Sequence, residues 1–202
     1  MGKLRYWFKD TGLYRHFLSA VLHPKTFLFL KKYPFWKCKN VWNGRFLGWD
    51  CSSYDWISKG WRKAFGKELT NDIVKALEED NIPRGKWEEH LQWEDIKEKY
   101  GSLRLYAATT KKVQDVLDKY ECLSIGYCEN CGKPARYVTS GWISYVCEDC
   151  YANGYAKYGD HGYRLTEQDI PIYYTFKGDE EIPHTPMEKW GIDFKEIWGI
   201  GK

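Results

Sequence analysis

No stretch of this 202-residue chain is apolar for the roughly 20 residues that a membrane-crossing helix needs. The best candidate, Phe17 to Leu30, is interrupted by His23-Pro-Lys-Thr26. The first residues, Met1 to Phe8, lack an apolar core and a small-residue cleavage site, so no secretory signal is expected. A cytoplasmic setting is the expectation that follows. Low-complexity tracts and internal repeats are missing as well, which excludes solenoid architectures. Methionine is scarce, with 2 residues against 11 Trp, 16 Tyr and 9 Phe. Large rings must therefore fill the core, and some must remain at the surface.

What is present is one tight chemical constellation. Cys128-x2-Cys131 is followed, after fifteen residues, by Cys147-x2-Cys150. Two such pairs at this separation fit a four-thiolate tetrahedral zinc site. Each short spacing lets one turn aim two thiolates at a single ion. Gly132 stands where a turn after the first pair needs positive φ. Disulfides, a redox pair and a four-thiolate iron site are the competing readings. The expected cofactor is structural zinc, since four thiolates leave no coordination position for water. Cys38, Cys51 and Cys122 have no partner at ligand spacing and read as small apolar residues.

The formal net charge of +3 conceals an asymmetry. Residues 1–62 hold twelve Lys and Arg against Asp10, Asp50 and Asp55, a balance of +9, and the remainder carries −6. A basic, ring-rich third suits phosphate or acidic partners. Trp42, Arg45, Trp61, Arg62 and Lys63 are the candidate contact residues for nucleic acid or a protein partner. Against this, Trp61 lies on an apolar helical stripe, and lysines solvate any surface. Leu13 to Leu22 with its basic neighbours also fits a helix lying on a membrane surface. An ordinary amphipathic helix has the same pattern.

The expected fold class is α+β: a small mixed domain with an integrated treble-clef-like zinc module. Residues 1–122 form the basic, aromatic-rich region, 123–160 the zinc module, and 161–202 an extended tail ending in a short Met187–Trp198 helix. Leu13, Phe17, Ala20 and Val21, at i, i+4, i+7 and i+8, predict a helix. Residues 35–53 read as irregular or β, with Asn43-Gly44 as a hairpin signal and Arg45–Trp49 as the returning strand. Ile57, Trp61, Ala64 and Phe65 predict a helix capped by Gly66, and Leu69, Ile73, Ala76 and Leu77 a second one. Residues 91–100 fit both helix and strand. Leu103–Ala107 reads as a strand and 111–122 as a helix. In the module, 135–139 and 142–146 read as short strands, and 147–158 as helical.

Three segments together carry a resemblance: Gly60-Trp-Arg-Lys-Ala-Phe-Gly66, Asp95-Ile-Lys-Glu-Lys-Tyr-Gly-Ser-Leu-Arg-Leu-Tyr106, and Cys128-Glu-Asn-Cys-Gly-Lys-Pro134 with Gly141-Trp-Ile143 and the second Cys pair. With Pro34 to Trp42, they resemble a group of small proteins encoded by bacterial viruses and integrated elements. The resemblance covers residues 25–150. It implies an accessory protein and the four cysteine ligands, and it implies no activity. The partner expected on this reading is nucleic acid or a host protein. An inhibitor of a host defence or transcription factor, without nucleic-acid contact, is the alternative. A metal-dependent nuclease is the remote one. A treble-clef nuclease places a His on or beside its hairpin, and residues 133–146 contain none. Asp160-His161 is the nearest candidate pair.

Overall fold

The computed structural model describes residues 11–40, 42–154, 161–177 and 180–201. Its mixed helix and strand content places the chain in the α+β class, as expected. The main core is built on α3 (Lys59–Glu79). Trp61, Phe65, Leu69, Ile73, Ala76 and Leu77 form its buried stripe. The stripe packs against α5 (Lys111–Ser124), which contributes Val113, Leu117 and Tyr120. It also packs under an antiparallel pair, β1 (Leu91–Lys99), entered from the short α4 (Trp87–His90), and β2 (Ser102–Thr109), which bury Ile96, Leu103 and Leu105.

Gly66 does not end a helix. It lies inside α3, and an added Cβ there would sit 2.1 Å from the Tyr54 hydroxyl oxygen. The glycine costs about 1 kcal/mol of helix propensity relative to Ala, and the close approach of Tyr54 leaves no room for a side chain. Residues 91–99 form a strand because the chain reverses at Tyr100 and Gly101. Both have positive φ, 54° and 75°, between the paired Lys99 and Ser102. That is the two-residue type I′ geometry.

The Asn43-Gly44 reversal forms, with Asn40 N–H donating to Arg45 O at 2.9 Å. Regular strands do not form beside it. Only isolated bridges pair Lys39 with Phe46 and Lys37 with Ser52. The returning arm bends at Gly48 (φ 138°), where a Cβ would meet Asp50 Oδ1 at 2.7 Å.

The N-terminal helical run departs most from expectation. A π-helical stretch, Tyr14–Leu18, continues into α1 (Ser19–Leu22), and α2 (Pro24–Lys32) follows. Tyr14, Arg15 and Ser19 face inward, whereas Leu13, Phe17 and Val21 are exposed. The two inward hydroxyls are bonded. Ser19 Oγ accepts from Trp49 N–H at 3.0 Å and donates to Arg15 O at 2.7 Å. Tyr14 Oη donates to Asp50 Oδ2 at 3.0 Å.

A second core joins the last forty residues to the region after α5. Ile125, Ala135, Val138, Leu165, Ile192, Phe194 and Trp198 pack together. The chain after Leu165 forms a β6 (Tyr173–Lys177) and β7 (Glu180–His184) hairpin. Two five-residue helices follow, α7 (Pro186–Trp190) and α8 (Phe194–Trp198). The single expected Met187–Trp198 helix is split because Gly191 takes the left-handed cap conformation, φ 69°.

One buried polar contact ties α5 to α3. Tyr120 Oη donates to Asp72 Oδ2 at 2.8 Å, and Lys119 pairs with the same carboxylate. Burial and the Asp72 charge hold the Tyr120 phenol well above its ordinary range. Tyr120→Phe should cost about 1 kcal/mol, the net contribution of one hydrogen bond, since Lys119 keeps Asp72 paired. Urea titration measures it, and an unchanged midpoint would show that the bond contributes nothing.

Candidate metal centre

The first cysteine pair is set by a tight backbone turn. Gly132 N–H donates to Cys128 O, and Cys128 N–H to Lys133 O, both at 2.8 Å. Gly132 has φ 78°, the left-handed value that its place in the sequence predicts. The chain then runs through β3 (Tyr137–Thr139) and turns back along β4 (Tyr145–Val146). β5 (Gly162–Arg164) completes the sheet in the order β4-β3-β5. Cys147 is the N-cap of α6 (Glu148–Ala152), and Cys150 sits on that helix. Glu148 and Asp149 occupy its first turn, where negative charge is favourable. Asp149 pairs with Lys133, bridging the helix to the first turn. α6 is shorter than expected. It stops at Ala152, and Gly154 turns the chain with φ 68°. Residues 155–160 lie outside the described residues.

The four sulfurs converge. One ligand atom from each of Cys128, Cys131, Cys147 and Cys150 lies within 4.8 Å of all the others. Zinc–sulfur bonds of about 2.3 Å in a tetrahedron put sulfurs roughly 3.8 Å apart, so the cluster fits a metal ion. The Cys131 and Cys147 sulfurs are 3.5 Å apart and all seven cysteines are free. That separation is far beyond a disulfide bond of about 2.05 Å. Cys128 and Cys147 are buried, and Cys131 and Cys150 half-buried. N–H groups support the sulfurs. Asn130 Nδ2 donates to Cys150 Sγ at 3.4 Å, and Cys150 N–H points at Cys147 Sγ at 3.5 Å. Burial and the neighbouring sulfurs push the Cys150 thiol up to about 12, against the Asn130 amide. Crowding of this kind is relieved by a cation that all four thiolates share.

The centre is joined to the main core through two glycines. Gly60, in the first turn of α3, donates its N–H to Glu129 O at 2.8 Å. A Cβ on Gly60 would lie 2.3 Å from Cys128 O, and one on Gly132 would lie 2.6 Å from Gly60 O. Ser58 Oγ donates to Glu129 Oε1 at 2.7 Å. Burial raises the Glu129 carboxyl above its ordinary value, and the Ser58 hydroxyl opposes the shift. Trp61 Nε1 donates to Ser124 O at 3.0 Å and is 3.3 Å from Tyr127 O. Gly60 has no local signal that marks it as a partner of the cysteine turn. Its role depends on a contact across about seventy residues of chain.

The five candidate contact residues are placed unequally. Trp42 is 92% exposed, and Arg45 is exposed on the same loop. Trp61 is fully buried, so its ring belongs to the core. Arg62 is half-buried, pairs with Asp55 and lies over the Tyr54 ring. Lys63 is exposed beside the cysteine turn. The set is thus divided between the 42–45 loop and the start of α3. Lys37 and Lys39 both pair with Glu88, which neutralises part of the basic third. The other cysteines are packed. Cys38 is buried against Cys51, and burial pushes the Cys122 thiol up to about 11. His161 is exposed, and Asp160 lies outside the described residues. Among the described residues, no helix is long and apolar enough to cross a membrane. No protein-family model matches the chain, and neither a curated protein nor a solved structure matches it.

Proposed function

We propose that this chain is a zinc-stabilised accessory binding protein of the mobile-element type. It acts by contact with a host macromolecule and catalyses no reaction. The observation that carries the reading is the convergence of four sulfurs onto one point. A four-thiolate site is complete in itself and keeps no position for a substrate or water. Bound zinc would cross-link the first cysteine turn to α6 and supply no reactive group. The order of turn, strand pair and ligand-bearing helix supports the treble-clef type.

A protein partner is favoured over nucleic acid. Three of the twelve cations in the basic third are engaged internally: Lys37 and Lys39 by Glu88, Arg62 by Asp55. Trp61, the ring placed best by sequence for stacking, is in the core. Two exposed rings lie where the β1–β2 turn meets the zinc hairpin. Tyr100 and Trp142 are exposed there, and the Gly101 Cβ position is 3.1 Å from Ile143 O. Rings held on a rigid scaffold are the usual anchors of protein interfaces.

The test is a pull-down of the tagged, metal-loaded chain from bacterial lysate, with and without nuclease. A captured protein should survive nuclease, and Trp142→Ala should release it. A parallel titration compares the native chain with combined Arg45→Glu, Arg62→Glu and Lys63→Glu on duplex DNA. Phosphate-driven binding would show a log–log salt slope of about −0.9 per contact. Such a slope, abolished by the triple variant, together with loss of the captured protein on nuclease treatment, would replace the protein reading with the nucleic-acid one.

A further inference from the structure

The N-terminal helical run is amphipathic in the wrong sense for a core helix. Its polar side is inward, through Tyr14, Arg15 and Ser19. Its outward side carries Leu13, Phe17, Val21 and Leu22, and α2 adds Leu28; all five are 63–69% exposed. A helix that needed only to pack would turn that stripe toward α3. Here the Ser19–Trp49 and Tyr14–Asp50 bonds hold the opposite rotation.

Charge defines what can cover the stripe. Residues 11–49 contain seven Lys and Arg and not one Asp or Glu. Lys25, Lys31 and Lys32 are exposed on α2. Lysine Nζ of Lys31 and Lys32 lies over the rings of Phe27 and Tyr33, so the cations rise from an apolar surface. Among the described residues, Asp50 accepts from Tyr14 Oη beneath the run, and Asp55 pairs with Arg62. Trp42, at the tip of the adjoining loop, is 92% exposed, and that loop packs on the run through His16 and Phe46 at 5.9 Å.

We propose that the apolar stripe Leu13–Phe17–Val21–Leu22, with the α2 lysines, docks on an anionic phospholipid surface. Both halves of the observation fit such a surface. Nucleic acid would satisfy the lysines and leave five apolar side chains without a partner. A second copy of the chain would cover the apolar side chains and bring two acid-free, cationic segments together. A bilayer of anionic lipids takes the apolar side into the acyl boundary and the lysines at the headgroups. Trp42 suits the same level, where tryptophan is enriched. This surface is separate from the ring cluster at the zinc hairpin and does not rest on the protein-partner reading.

The test is flotation of the full-length, metal-loaded chain with vesicles of phosphatidylcholine, with and without phosphatidylserine. The chain should float with the anionic vesicles and bind neutral ones roughly ten-fold more weakly or worse, since each lysine near the surface is worth about a factor of five. Phe17→Ser with Val21→Ser, and separately Lys25→Glu with Lys31→Glu and Lys32→Glu, should each remove most of the binding. Circular dichroism and metal content should stay native in both, because these side chains are exposed. Absence from the floating fraction, or binding that both variants retain, overturns the proposal. So does a dimer in sedimentation equilibrium that Phe17→Ser with Val21→Ser dissolves, since a second copy then covers the stripe. Binding to soluble duplex DNA or polyglutamate that the serine variant abolishes, without vesicle binding, overturns it as well.

Discussion

Stripping the metal should unfold residues 123–154 and loosen both cores. The reduced protein should purify with about one zinc per chain, because four sulfurs close one tetrahedral site. Structural zinc contributes about 10–16 kcal/mol of apparent binding free energy in small finger peptides, and a share of that should couple to folding here. The share should be large because the regular structure within the module is slight. β3 and β4 have three and two residues, and α6 has five. Cys131→Ala should therefore lower the melting temperature far more than Cys38→Ala. The second removes one buried sulfur, worth roughly 1 kcal/mol as a small cavity. Limited proteolysis should cut the chelated protein between Cys128 and Cys150. The damage should spread, since Ala135 and Val138 belong to the core that holds Phe194 and Trp198. Equal melting temperatures for the two variants, or a metal-free reduced protein that melts like the native one, would remove the structural role.

The elements that could be read from sequence are those whose information is local. The cysteine spacing, the Val113–Leu117–Tyr120 stripe and the 103–107 strand needed no distant partner. The misread elements were decided by residues far along the chain. Gly66 looks like a cap until Tyr54 occupies the place of its side chain. Residues 91–99 fit two periods, and the left-handed Tyr100 settles the matter without an Asn-Gly signal. The Leu13–Val21 stripe was visible, yet its direction was set by Ser19 and Tyr14 bonding to residues 49 and 50. Charge counting has the same weakness. It scored Lys37 and Lys39 as available cations, and Glu88, outside the counted third, pairs with both. The four cysteines of the site were legible in full, and the glycine that seats them on α3 was not.

That glycine supplies the sharpest substitution. Gly60→Ala should destabilise the protein by about 2–4 kcal/mol, from overpacking and a lost or strained backbone bond. Propensity alone argues the other way, since Ala is a better helix former than Gly by about 1 kcal/mol. The packing decides the sign. The new methyl carbon would stand 2.2 Å from Glu129 O, 2.3 Å from Cys128 O and 2.4 Å from Glu129 C. All three are backbone atoms of the cysteine turn, so no side chain can rotate out of the way. Either α3 retreats and gives up the Gly60–Glu129 bond, or the turn shifts and misaims Cys128 and Cys131. For a domain of this size the loss corresponds to a melting shift of roughly 5–15 °C. The second response also predicts faster zinc loss to a chelator, which a colorimetric zinc indicator reads directly. Gly85→Ala is the control, because nothing lies within 4 Å of a Cβ at that position. If Gly60→Ala melts with Gly85→Ala and releases zinc no faster, the start of α3 does not rest on the metal centre, and the two cores are not held together at that point.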